Sequence, residues 1–398
     1  MVMCRRNVVV GSWVVSSIVG AVACATGEPV APPVAARPSI DAPEPEPVAG
    51  EPTAPSSTED TVVAEASTVP EEAAAAQWKL AAAAYLDQRT QSWLEDPPKV
   101  RNHFECAMSC HTTHPYMFVR PELGEHGLLD EARARLVERV EQEGPWDDQV
   151  GFYGREGGRT WKRSLATEAV LNASALALHD RAMEREPTAE TVAALDRMWE
   201  VQRADGAWDW LDFSYQPWEA GNDDWGAVLA ALAVGAASDE YRAEHTEPIE
   251  GLRGYLRGRA ADETEPMSLH DAAGVLWAGR SMDALIPGAD RERIVGALIE
   301  AQGSDGGWAL RDLVAPGRMA RRVRKPDGYA TGLATFVLCT EPEGAEGAAR
   351  GLTWLRDHQN EDGSWPAWSL NRDRKRSHLH MRDAAAAYAV LALASCEP

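Results

Sequence analysis

Gln302-Gly-Ser-Asp-Gly306-Gly-Trp308 decides the fold, because it recurs. Gln202-Arg-Ala-Asp-Gly206-Ala-Trp208 and Gln359-Asn-Glu-Asp-Gly363-Ser-Trp365 repeat the same Gln-x-x-Asp-Gly-x-Trp phrase, and a looser Gln142-Glu-Gly144-Pro-Trp146 precedes them. The tryptophans fall about 60, 100 and 57 residues apart, and the gap of 100 reads as two shorter steps with one copy worn away. A period of this size means stacked supersecondary units. Each copy closes an Ala/Leu-rich helical run. Asp-Gly then stops the helix, since Gly readily takes the left-handed conformation past a helix end. The Gln amide is expected to bond backbone at a helix terminus and the Trp to wedge between hairpins, as structural rather than chemical residues.

Working outward, strand signals are poor and helical periodicity is plain. It predicts helices over 73–94, 128–142, 163–180, 188–203, 224–236, 247–259, 268–282, 289–302, 329–340, 345–359 and 382–395. Their character alternates. The runs 166–178, 224–236, 268–279, 329–340 and 383–394 are rich in Ala, Gly and Leu, with little charge inside them. The runs between them carry Glu, Arg and Asp on one face. Helices apolar all round are buried and amphipathic ones lie outside.

The repeated Gln-x-x-x-Gly-x-Trp resembles the QW repeat of squalene–hopene cyclases, whose superfamily shares an α/α toroid with protein prenyltransferase β-subunits. The resemblance covers roughly residues 75–398 and implies an all-α toroid of five to six hairpins, an inner ring of helices within an outer one. It says less about reaction, because one fold hosts many functions.

The chain has 398 residues, and its N-terminal part is of another kind. Residues 1–23 read as an export signal: Arg5 and Arg6, an apolar run from Val8 to Val22, and Ala21-Val-Ala23 at the cleavage site. Cys24 follows at once and reads as the lipidated first residue of a bacterial lipoprotein, anchored in a membrane and facing the periplasm or cell surface; plain secretion is the alternative. Residues 24–72 form a Pro/Glu-rich disordered tether, too polar to bury a core. The toroid domain takes 73–398, with a Cys/His segment at 103–126. The tether carries much of the net charge of −23, so the total speaks mainly against nucleic-acid binding.

Chemistry has three candidate seats. The first is a set of carboxylates near the starts of the predicted inner helices: Glu168, Asp224, Asp271 and Asp383, with Asp327 just before the fourth. They read as helix caps or as acids gathered at one mouth. Gly221-Asn222-Asp223-Asp224 aligns with the Asp-x-Asp-Asp motif by which class II terpene cyclases protonate an alkene. The resemblance makes Asp223 and Asp224 candidate catalytic acids for an apolar or isoprenoid ligand, but Gly221 replaces the first acid, so squalene cyclisation is not expected. Cys339, without the Asp expected of prenyltransferase zinc sites, reads as a core cysteine.

The second seat is Cys106-Ala-Met-Ser-Cys110-His111. It is one residue longer than the C-x-x-C-H string of c-type haem attachment. On this reading Cys106 and Cys110 hold haem c, His111 binds the iron, and His103, His114, Met117 or His126 is the sixth ligand, with a redox protein as partner. A Cys106–Cys110 disulfide, or zinc on His103, Cys106, Cys110 and His111 or His114, stands beside it. The flank from His103 to His114 is expected on the surface, as a loop or small lobe. The third seat is a set of basic loops, with Arg159, Arg322, Arg324 and Arg374 as anion-binding candidates entering the inner helices from one end. Three function classes follow: a redox or ligand-binding protein, a terpenoid-cyclase-like enzyme, or a non-catalytic scaffold for protein or lipid binding.

Overall fold

A computed structural model describes residues 71–95, 111–141, 158–221, 223–314, 323–371 and 375–396, with only the helical backbone at 71–76 and 375–378. No strand occurs among the described residues. The helices are α1 (Glu71–Glu95), α2 (Thr113–Val119), α3 (Leu129–Glu141), α4 (Arg159–Ala182), α5 (Ala189–Glu200), α6 (Asp224–Ala236), α7 (Asp239–Glu244), α8 (Thr246–Ala261), α9 (Leu269–Ala278), α10 (Gly288–Glu300), α11 (Leu310–Leu313), α12 (Gly328–Leu338), α13 (Ala345–Asp357) and α14 (Lys375–Cys396).

The helices form two concentric rings. In the inner ring α2 packs on α4, α4 on α6, α6 on α9, α9 on α12, α12 on α14, and α14 back on α2. Outside them α1, α3, α5, α8, α10 and α13 lie as the other arms of six hairpins. Along α6 the residues from Asp224 to Val234 are all buried, and α12 is buried from end to end, so Ala and Gly at these positions let inner helices approach closely. By contrast α5 buries only Thr191, Ala194, Leu195 and Met198, one stripe of an amphipathic helix. The fold is an all-α toroid.

The repeated phrase is the seam between hairpins. Gln202 Nε2 donates to Gly206 O (3.1 Å) and Pro248 O (3.0 Å), Gln302 Nε2 to Gly306 O (2.8 Å) and Gly347 O (2.9 Å), and Gln359 Nε2 to Gly363 O (3.2 Å) and Trp78 O (3.1 Å). Each Gln thus ties its own turn to the next outer helix: α8, α13 and, for the last, α1, which closes the ring. Trp208, Trp308 and Trp365 are fully buried, and each Nε1 donates to a carbonyl in the preceding outer helix: Met198, Leu298 and Leu355 at 2.7–2.8 Å. Glycine is required here on two counts. Gly206, Gly306 and Gly363 have φ of +89°, +90° and +85°, and a Cβ would meet the carbonyl of Gly251, Arg350 or Ala81 in the next outer helix at 2.0–2.8 Å.

Two expectations are corrected. The segment after His111 forms no surface lobe: α2 is the sixth inner helix, and every residue from Thr113 to Val119 is buried. Its shortness and its Thr, His and Pro content hid it from a periodicity argument. Cys339 is not a free core thiol but is bonded to Cys396, joining the C-terminal ends of α12 and α14.

Candidate functional site at the inner-helix mouth

The N-terminal ends of the inner helices meet at one mouth, traced by a chain of ring contacts. His111, just before α2, stacks on His380 of α14 with centroids 3.9 Å apart, and Trp93 and Trp218 lie at 6.1 and 5.7 Å from it. Trp218 Nε1 donates to the hydroxyl of Tyr329, the second residue of α12 (2.9 Å). That hydroxyl meets Nε2 of His270 in the first turn of α9 (2.7 Å), and the His270 ring packs on Trp225 in the first turn of α6 at 4.4 Å.

The carboxylates expected at this end are held by partners. Asp383 takes Arg89 Nε (2.7 Å) and Nη2 (3.1 Å) with the Tyr85 hydroxyl (3.0 Å). Asp224 takes Arg259 Nε (2.8 Å) and Nη2 (2.9 Å) with the Tyr255 hydroxyl (2.9 Å). The two clamps are one device used twice, a Tyr-x-x-x-Arg pair on an outer helix closing on an inner-helix carboxylate. Glu168 is gripped by Arg139 of α3 in the same bidentate way, though burial pushes its carboxyl up. Asp271 receives Ser268 Oγ (2.7 Å) and contacts His270 Nδ1 (2.8 Å). Asp327 caps α12 through Ala330 N and also accepts from Leu310 N, both at 2.9 Å, while burial pushes it up to about 7. Asp223 pairs with Arg203 and accepts from Trp210 N. These bonds give Glu168, Asp224 and Asp383 the work of joining outer helices to inner ones, while Asp223 ties the turn after α5 to the start of α6 and Asp271 and Asp327 secure the starts of α9 and α12.

One acid stands apart. Glu219 sits on a tight hairpin whose backbone pairs Glu219 N with Tyr215 O (2.9 Å) and Tyr215 N with Glu219 O (2.8 Å). The hairpin is pinned at Gln216, whose N–H and carbonyl both bond the Asn371 side chain (2.9 Å each), and at Trp218, which reaches Tyr329. No hydrogen bond or ion pair engages the Glu219 carboxyl among the described residues. The side chain is only partly exposed, and burial alone pushes it up to about 7. Sequence reasoning missed it, because no motif marks Trp218-Glu219; the run of aromatics from Trp208 to Trp218 was the available signal.

Of the haem and zinc residues, His103, Cys106 and Cys110 lie outside the described residues. His111 is at the mouth. Thr112 Oγ1 donates to Asp383 Oδ2 (2.7 Å), so its lone pair faces His111 Nδ1 (3.3 Å). Nδ1 then carries the proton and Nε2 the lone pair, and burial first, then His380, keeps the imidazole neutral. His114 instead points at Ser174 Oγ (2.8 Å), with its pKa pulled down to about 3 by burial. Met117 is buried and His126 exposed. No group of three potential metal-binding side chains occurs among the described residues. Arg159 is exposed at the start of α4, and Arg324 lies 3.5 Å from Asp312; Arg322 and Arg374 lie outside the described residues, as do the export signal, Cys24 and the tether up to residue 70, its last two residues, Glu71 and Glu72, opening α1.

No family model matches the sequence, and no curated protein does. Among solved structures, a glycosidase variant in complex with glucose aligns with a TM-score of 0.51 and 15% identity, covering 83% of this chain and 100% of that one. The wild-type glycosidase gives 0.50 and 15%, over 81% and 98%. The type II terpene cyclase MstE from Scytonema, without ligand, gives 0.47 and 13%, over 81% and 98%. At 15% identity the glycosidase likeness is one of fold.

Proposed function

We propose that this is an exported, membrane-tethered toroid that binds a small ring-bearing ligand in its inner-helix mouth. The observation that carries the reading is the wall of rings there, Trp93, His111, Trp218 and His380, on which a flat or cyclic ligand can stack. The Cys339–Cys396 bond supports export, since such bonds persist in oxidising compartments. Lipidation of Cys24 supplies the tether. The glucose in the fold neighbour makes a sugar the first probe. Glucose titration should quench tryptophan fluorescence, and Trp218→Phe should remove most of the quench. A flat titration with glucose, and equally with an isoprenoid alcohol in micelles, rejects the reading.

The terpenoid-cyclase alternative has less support, because Asp223 and Asp224 are bound to Arg203 and Arg259 rather than facing a ligand. A second reading has a specific observation behind it: haem c on Cys106 and Cys110 with His111 as iron ligand. The Asp383–Thr112–His111 chain fits the group, holding a neutral imidazole with Nε2 as the ligating nitrogen, as second-shell partners do at metal sites. Bound haem would supply electron transfer; the chain's own part is to orient that ring between Trp93 and Trp218. Protein matured with haem-attachment machinery should show a Soret band and the mass of one covalent haem. A colourless product of unmodified mass excludes it.

A further inference from the structure

We propose that Glu219 is the proton donor of a hydrolytic site at the mouth, acting on the acetal oxygen of a bound glycoside. The inference rests on the mouth being the ligand site and adds a reaction to it.

The first argument is contrast. At this end of the toroid Glu168, Asp223, Asp224, Asp271 and Asp383 each have a cationic or hydroxyl partner, and Asp327 has backbone N–H groups. Asp212, on the same hairpin, is taken by Arg163 at 3.2 Å. Arginines are plentiful here, yet none of those among the described residues reaches Glu219. Enclosing a carboxyl without a partner costs free energy, and native chains keep such groups where they act. The second argument is rigidity. Backbone pairing with Tyr215 and the anchors at Asn371 and Tyr329 hold the Glu219 backbone in one place next to Trp218, a ring on which a sugar face can stack. A preorganised acid loses little in reorganisation.

The third argument selects the substrate. With its pKa raised to about 7, Glu219 is near half protonated at neutral pH, the poise of a general acid toward a leaving oxygen. It is too weak to protonate an isolated alkene, which separates this site from terpenoid cyclisation. The step balances without a co-reactant other than water. The acetal C–O bond breaks, its electron pair goes to the leaving oxygen, and that oxygen takes the Glu219 proton. Water then bonds to the carbon and returns its proton to the Glu219 carboxylate.

Leaving-group dependence on the full chain tests this. Methyl α- and β-glucosides need acid assistance, whereas p-nitrophenyl glucosides have a leaving group that departs almost unaided. Wild type should hydrolyse both types of one anomer. Glu219→Gln should lose on the order of 100-fold or more in kcat on the methyl glucoside, and far less on the p-nitrophenyl compound, with KM nearly unchanged. Equal losses on both, or none, overturn the proposal. Glucose quenching without turnover of any glucoside overturns it while sparing the mouth as a binding site. No quenching removes the binding reading and the proposal together.

Discussion

The two ends of the inner ring handle desolvated charge in opposite ways. At the C-terminal end Arg280 is partly buried and pulled down to about 10 by desolvation, with no carboxylate at ion-pair distance among the described residues. It is nevertheless largely compensated, although its Nε has no hydrogen-bond partner among the described residues. Its guanidinium lies 3.9 Å from the Phe336 ring centroid and donates to the Phe336 carbonyl near the end of α12. Helix C-terminal carbonyls and ring faces both favour a cation. That end is also filled with rings, Phe118, Trp277 and Phe336, and tied by the Cys339–Cys396 bond. At the mouth Glu219 has no compensating group among the described residues and lies on a hairpin rather than in a helix. A lone charge is therefore informative only after carbonyls, ring faces and N–H groups have been counted: by that count Arg280 is structural and Glu219 is not.

Substitutions sharpen or break this comparison. Trp308→Ala should be among the costliest, about 3–5 kcal/mol, because the ring is fully buried and its Nε1 bond to Leu298 O is lost as well. An unchanged melting curve would show that the seam does not hold the hairpins. Arg259→Ala should cost a similar about 3–5 kcal/mol, since it strands Asp224, whose side chain has no solvent exposure. Asp224→Asn added to it should recover much of that in urea melts; additive losses would mean the clamp is not a unit. At the other end, Cys339→Ser should cost about 2–4 kcal/mol in oxidised protein, through loss of a link across 57 residues. It should leave glucose quenching untouched, and a changed affinity would couple the two ends.

The smallest effect depends on pH. Glu219 has a folded pKa of about 7, above its ordinary 4.5. Below 4.5 both states are protonated and nothing is lost. As pH rises from 4.5 to 7 the unfolded chain ionises first and the fold loses stability, levelling off above 7 at up to about 3 kcal/mol. Glu219→Gln should remove that slope, so its stability relative to wild type should rise between pH 4 and pH 8. Parallel pH profiles for the two proteins would show that the carboxyl is not desolvated.

Much of the toroid is legible from short-range rules. Gln-x-x-Asp-Gly-x-Trp announces a helix stop and a buried plug, and the alternation of all-apolar with one-faced helices sorts inner from outer. The predicted spans agree with the helices to within a few residues in most cases, for instance 224–236 against Asp224–Ala236 and 345–359 against Ala345–Asp357. Even the worn copy appears as the α8–α9 hairpin between the second and third tryptophans. These features depend on neighbours a few residues apart, or on a period, and the chain carries both.

What only the tertiary structure decided is which groups are neutralised by others far along the chain. Asp383 is clamped by Arg89, 294 positions away, and Asp224 by Arg259, 35 away. From sequence these acids read either as helix caps or as acids gathered at one mouth, and their long-range arginine partners are not visible. Helix α2 was hidden too: seven residues with Thr, His and Pro make an inner helix only because five other inner helices leave a gap for it. Glu219 could not be singled out, since a free carboxyl is defined by the partners it lacks. Local preference and periodicity act through adjacent backbone and so are written in order along the chain. Charge pairing and desolvation act through space, and are settled only when the ring closes.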